Sequence, residues 1–180
     1  LSHCALGELY SRMKRLDESE HHHREGVRMA RQLQSPVRLA QAQTNFGNFL
    51  YGQKRFDEAE KSYLEAIEIS REIGNDSIES ISLGCLATMR FDQGNLEEAK
   101  AGLRLALEID ERADYKRPQG YHLCELGEYL LASGQPEQAR EEWLKGAKLL
   151  EQVGDAQGLE GKRVRMREAC AAAGVTPFDE

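Results

Sequence analysis

The segment Glu20-His21-His22-His23 is the densest run of metal-binding side chains in this chain, and Glu18 and His21 have the Glu-x-x-His spacing of carboxylate-bridged metal centres. Such a centre needs a second copy of the motif on a facing helix, and none exists outside this segment. Three successive histidines on a helix also point in three directions, so they cannot chelate one ion together. No metal and no other cofactor is expected. The four cysteines, Cys4, Cys85, Cys124 and Cys170, are widely separated and form no Cys-x-x-Cys pair. They read as buried thiols of a reducing, cytoplasmic compartment rather than a disulfide frame or zinc site. Lys162-Arg163-x-Arg165-x-Arg167 is a basic run. It reads as a solvated outer helix face, the alternative being a docking surface for an acidic partner or a neighbouring domain. The chain has no glycine-rich phosphate loop, no Ser/His/Asp order and no Cys/His nucleophile pairing. No catalytic residues are assigned, and the chain is not expected to be an enzyme.

The elements that position these residues follow from a period of 40. Gly7, Gly47, Ala87 and Gly127 form one series; Ser19, Ala59, Ala99 and Ala139 a second; Gly26, Ala66, Ala106 and Gly146 a third. Gly, Ala and Ser make up a quarter of the chain, so twelve small residues at twelve places in register is not compositional. A period of this length means one supersecondary unit stacked on copies of itself. Large residues stand beside the small ones: Leu6, Phe46, Leu86 and Leu126 in a first helix, and His23, Tyr63, Leu103 and Trp143 in a second. Large against small at helical spacing lets two antiparallel helices interlock. Gly94-Asn95 and Gly134-Gln135 separate the two helices of a repeat. Gly74-Asn75 and Gly154-Asp155 end the preceding repeats, and Ser35-Pro36, Asp76 with Glu79, and Asn95 with Glu98 open helices, the last as a capping box. The prediction is an all-α, right-handed solenoid of four helix-turn-helix repeats over 1–158 (1–38, 39–78, 79–118, 119–158). A capping helix follows at 159–174 and a tail at 175–180.

Hydrophobic content of 40% and charged content of 31% suit a helical protein with wide solvated faces. The net charge of −7 argues against general nucleic-acid binding, and the apolar runs are too short to span a membrane. No charged segment followed by an apolar core stands at the start, so no signal peptide is expected. Leu1 already lies in a helical pattern, which reads as a piece of a longer chain.

The pattern resembles the tetratricopeptide repeat. The resemblance is carried by Phe46-Gly47-x-x-Leu50, Arg55-Phe56-Asp57-Glu58-Ala59-Glu60, Tyr63-x-x-Ala66, Gly94-Asn95-Leu96-Glu97-Glu98-Ala99 and Leu126-Gly127 with Gly134-Gln135-Pro136-Glu137-Gln138-Ala139. The usual period is 34; a period of 40 is similar to the longer-helix subtype of Leu-Gly-Asn repeat adaptors, kinesin light chains and bacterial signalling regulators. Two departures stand out. His23 replaces a large apolar residue, as on an end repeat with one exposed face. Arg167 stands where a small residue belongs, so the last helix reads as a single cap that lays Leu159, Met166 and Cys170 on the final repeat.

The resemblance implies a concave groove lined by the first helices. Cys4, Ala5, Glu8, Ser11 and Arg12 would face it from the first repeat. The peptide-binding candidates are Thr44, Asn45, Asn48 and Tyr51 from the second, Thr88, Phe91 and Asp92 from the third, and Tyr121, Glu125 and Glu128 from the fourth. Thr44-Asn45-Phe46-Gly47-Asn48 resembles the family's peptide-holding asparagines; an amide offers donors and acceptors and so holds backbone without reading side chains. Tyr51, Phe91 and Tyr121 would supply apolar pockets. The mildly acidic tally of this surface implies a neutral to basic protein or peptide partner. The expected function is an adaptor or scaffold that binds a protein segment, as the sensing part of a larger signalling protein. The alternative is a structural module that self-associates through its end repeats or docks on other domains of its chain.

Overall fold

The computed structural model describes residues 2–178, apart from the side chain of Cys4. Among the described residues all regular structure is helical: α1 (His3–Arg12), α2 (Leu16–Gln32), α3 (Pro36–Gly52), α4 (Phe56–Glu72), α5 (Asp76–Asp92), α6 (Leu96–Ala113), α7 (Lys116–Ala132), α8 (Pro136–Gln152) and α9 (Ala156–Ala173). The chain divides into two compact units, Leu1–Met89 and Arg90–Glu180.

Every helix ends on the same turn. Residues 14, 34, 54, 74, 94, 114, 134, 154 and 174 have left-handed backbone. The amide of the following residue donates to the carbonyl five positions earlier, as Arg15 to Tyr10, Arg55 to Leu50 and Gln135 to Leu130. This Schellman-type closure satisfies the last helical carbonyls. The 40-residue repeat is therefore a doubled 20-residue rhythm. Glycine supplies five of these turns without strain, whereas Lys14, Gln34, Lys54 and Asp114 adopt the left-handed form with a side chain in place. The helix starts differ from expectation. Neither Ser35 nor Asn95 makes a side-chain cap, and Glu98 turns to Arg90 instead of back to its own helix start. The caps that form are Ser2, whose hydroxyl accepts from the Ala5 amide, Asn75, whose side-chain oxygen accepts from the Ile78 amide, and Asp155, which accepts from the Gly158 amide.

The small positions are the points of closest helix approach. A methyl group added to Gly7 would lie 2.8 Å from the His23 ring, one on Gly47 2.6 Å from the Tyr63 ring, and one on Gly127 3.0 Å from the Trp143 Cβ. Each glycine thus receives the large residue of the next helix, 16 positions on. In the first unit Ala40, Leu50, Ala59, Tyr63 and Ala66 form the fully buried centre; in the second, Ala99, Leu103, Tyr129, Trp143 and Leu150 do so. Helix α9 packs on α7 and α8 with Leu159, Met166 and Cys170 buried. No helix among the described residues is long and apolar enough to cross a membrane.

His23 corrects the sequence reading. It is 4% exposed, not on an open end face. Its ring lies 5.2 Å from that of Phe49 and 6.3 Å from that of Phe46. The basic run is corrected as well. Lys162 is buried and donates to Glu125 at 2.6 Å, Arg165 pairs with Glu128 at 2.8 Å, and Arg163 reaches Glu151 at 3.2 Å. The run is largely spent inside the second unit because its spacing sets Lys162 and Arg165 on the α9 face that meets α7.

Candidate functional site

Helix α3 carries the two asparagines, and the small residue between them sets their geometry. Gly47 lets the Tyr63 ring close against α3. The Tyr63 hydroxyl then donates to Asn48 Oδ1 at 2.8 Å, which fixes one end of that amide and leaves its nitrogen as an oriented donor. Asn45, one turn earlier and half-buried, has no hydrogen-bond partner among the described residues. Both asparagines line a polar pocket of about 270 Å³, together with Glu8 and Ser11 of α1, His23 of α2 and Phe49. Asn45 also borders a larger cavity of about 660 Å³ beside His3, Met29, Leu33 and Arg38.

His23 is a buried wall of the pocket. Its Nδ1 is enclosed and has no hydrogen-bond partner. Burial holds the imidazole below its ordinary value of 6.5, with Glu8 acting against the shift and His22 reinforcing it. The neutral ring therefore persists below the pH at which an exposed histidine charges. The consequence for stability has a definite sign. The unfolded chain takes up the proton first, so the stability held above the ordinary histidine range is lost as the pH falls through it. Replacing His23 with Phe removes an unpaired buried nitrogen and keeps the ring over Gly7. H23F is expected to raise stability by about 1–2 kcal/mol at neutral pH and by more at about pH 5. Denaturant melts of both proteins at the two pH values check this; a gain that does not grow on acidification would contradict it.

The other candidates are placed as follows. Thr44 does not face solvent: it is 5% exposed, donates to the Ala40 carbonyl and shares a 2.7 Å hydrogen bond with Ser82 of α5. It ties α3 to α5, because a short hydroxyl at this position reaches only the adjacent helix. Tyr51 is half-buried beside Phe56. The Thr88 hydroxyl donates to the Gly84 carbonyl within its own helix. In the second unit Phe91 is stacked on Tyr129 at 4.2 Å, so its ring already has a partner, and Asp92 is exposed. The Tyr121 hydroxyl donates to Asp155 at 2.8 Å, and the Lys162 ammonium lies 5.6 Å from the Tyr121 ring centroid. Glu125 and Glu128 are not free groove carboxylates; they hold Lys162 and Arg165 of α9. Burial raises Glu125, but Lys162, His122 and Arg165 outweigh it and bring the carboxyl below its ordinary range. Glu128, with one oxygen enclosed and unpaired, is raised by burial despite Arg165. The acidic tally read from the sequence is thus mostly neutralised from within. Of the ten candidates, Asn45 and Asn48 share a pocket; the sequence reading left out two of its walls, His23 and Phe49. The place of His23 opposite Gly7, matching Tyr63 opposite Gly47, was the signal for its burial.

The remaining chemical candidates are also resolved. His21 is exposed, His22 stacks on Tyr10 with its Nδ1 2.9 Å from that of His3, and His23 is buried, so the three rings diverge. Among the described residues no group of three or more His, Cys, Asp or Glu side chains is arranged to hold a metal ion. Cys124 and Cys170 are buried and Cys85 is half-buried. Burial pushes the Cys124 thiol up to about 12, far from nucleophilic use. Cys4 lies outside the described side chains.

Residues 4–33 and 39–73 match the tetratricopeptide repeat family. The fold agrees with solved structures of such arrays. Aspartyl phosphate phosphatase F from Bacillus subtilis superposes with a TM-score of 0.81 at 16% identity, over 95% of this chain and 47% of that one. A Rap protein complexed with Competence and Sporulation Factor gives 0.79 at 16% identity, over 89% and 45%. A kinesin-light-chain-like protein from Podosopora anserina with nearly identical TPR-like repeats gives 0.72 at 16% identity, over 96% and 86%. The chain spans about half the length of the first two proteins. Comparison with curated protein sequences gives no match.

Proposed function

We propose that this chain is a protein-interaction scaffold whose first unit holds an extended peptide or protein segment of neutral to basic character. It would serve as the sensing or regulatory part of a larger signalling protein. The observation that carries this reading is the pocket itself. Two asparagines one turn apart border it, one with its oxygen fixed by Tyr63 and the other without a partner among the described residues. Preset amide groups on a rigid helix bind backbone with little ordering cost. That a Rap protein of this fold was solved with a bound factor fits the reading.

The test is selection of binders from a random-peptide display library on the immobilised chain, followed by hydrogen-exchange mapping of a selected peptide. Protection on α1 and α3 supports the reading; protection confined to α4 would refute it. Asn45→Ala is the cleanest single variant, because Asn45 has no partner within the protein to lose. It is expected to cost about 1–3 kcal/mol of affinity with an unchanged melting midpoint. A second reading has its own observation: Leu9, Met13 and Leu16 of the first hairpin are exposed apolar residues. If no peptide is selected and the mass of the protein rises with concentration, self-association through this end replaces the scaffold reading.

A further inference from the structure

The pocket beside Asn45 and Asn48 has a chemistry of its own. Glu8 is the sole formal charge among its lining residues, and a carboxylate only accepts hydrogen bonds. His23 adds its ring to the wall, while the ring's Nδ1 is enclosed within the protein. Ser11 and the unpartnered Asn45 amide can turn an oxygen inward. Phe49 adds an aromatic wall, which favours a cation. An anionic ligand would meet Glu8, and an apolar one would desolvate Glu8 without pairing it, both unfavourable. A positively charged donor pairs with Glu8 and with the Ser11 and Asn45 oxygens, while the Asn48 nitrogen remains free to donate to the backbone of the same segment. Arg12 already reaches Glu8 at 2.6 Å from one turn along α1, but both side chains are largely exposed, at 77% and 64%, and such a solvated pair yields readily to a better-enclosed one.

We infer that this pocket takes the guanidinium or ammonium group of an arginine or lysine side chain carried by the bound segment. The inference rests on the scaffold reading and names the anchor residue that reading lacks. The asparagines hold the backbone, and the pocket between α1 and α3 selects a basic side chain.

The test titrates the intact protein with Nα-acetyl-arginine-methylamide and with its uncharged isostere, Nα-acetyl-citrulline-methylamide, followed by NMR. The arginine compound is expected to shift the side-chain amides of Asn45 and Asn48, the His23 ring and Ser11, and the citrulline compound to do so at least about tenfold more weakly. Glu8→Gln should remove most of that preference, again by about tenfold. Equal binding of the two compounds, or shifts elsewhere only, would overturn the inference. The two readings fail separately. Selected peptides that need the asparagines but tolerate citrulline for arginine leave the scaffold standing and remove the basic anchor. Arginine-specific shifts with no selected peptide support the cation site and remove its proposed carrier.

Discussion

Trp143→Ala is expected to destabilise the protein by about 3–5 kcal/mol, the range for removing a large aromatic side chain from a packed core. Trp143 is 2% exposed and rests directly on Gly127, whose missing side chain makes room for it. Its indole nitrogen is enclosed without a hydrogen-bond partner, so truncation also removes an unsatisfied donor, which offsets a minor part of the loss. No neighbour can refill the space, because Gly127 contributes no atoms and the α8 backbone is already in contact with α7 at Gly120 and Gly146. Denaturant melts measure the effect. A loss below about 1 kcal/mol would mean that the large-against-small register does not hold these helices together.

Lys162→Met is the second large effect, about 3–5 kcal/mol, because it leaves Glu125 charged in a largely enclosed site. Its pH signature separates it from a simple packing loss. In the parent protein Glu125 is held below its ordinary range. It therefore contributes stability that is present above that range and lost as the pH falls toward its folded value. Without Lys162, burial prevails and the carboxyl is driven up, so acidification relieves the variant. The gap between parent and variant should narrow from neutral pH to about pH 4.5. Replacing both partners, Glu125→Leu with Lys162→Met, should recover most of the loss, since an apolar pair of similar volume carries no stranded charge. A single variant that melts within about 0.5 kcal/mol of the parent would show that the pair behaves as a surface ion pair.

The part of this molecule legible in the sequence is the part governed by local sterics. Close helix approach forbids a side chain, so Gly7, Gly47 and Gly127 announce the contacts with His23, Tyr63 and Trp143 through residue type and spacing alone. The 20-residue turn rhythm was half legible. It shows where glycine takes the left-handed turn, at 74, 94, 134, 154 and 174, and is hidden where Lys14, Gln34, Lys54 and Asp114 do the same with a side chain. Long-range polar pairing was not legible. Glu125 and Glu128 find their partners 37 residues later on α9, and Thr44 finds Ser82 38 residues later, so each was read as a free binding group although its polar end is engaged within its own unit. His23 was misjudged for another reason: polarity suggested exposure, while its place over Gly7 required burial. Asn45 and Asn48 were picked out by resemblance to a family motif, and the fixing of Asn48 by Tyr63 depends on a helix approach that only Gly47 permits.

The most direct measurement is the affinity of one display-selected peptide for the parent protein and for the Asn45→Ala/Asn48→Ala variant, with folding of both checked by circular dichroism. The account predicts a loss of at least about tenfold in the variant, the equivalent of one or more charge-neutral hydrogen bonds left unmade. Equal affinity for two equally folded proteins would contradict it and move the binding surface away from the pocket between α1 and α3.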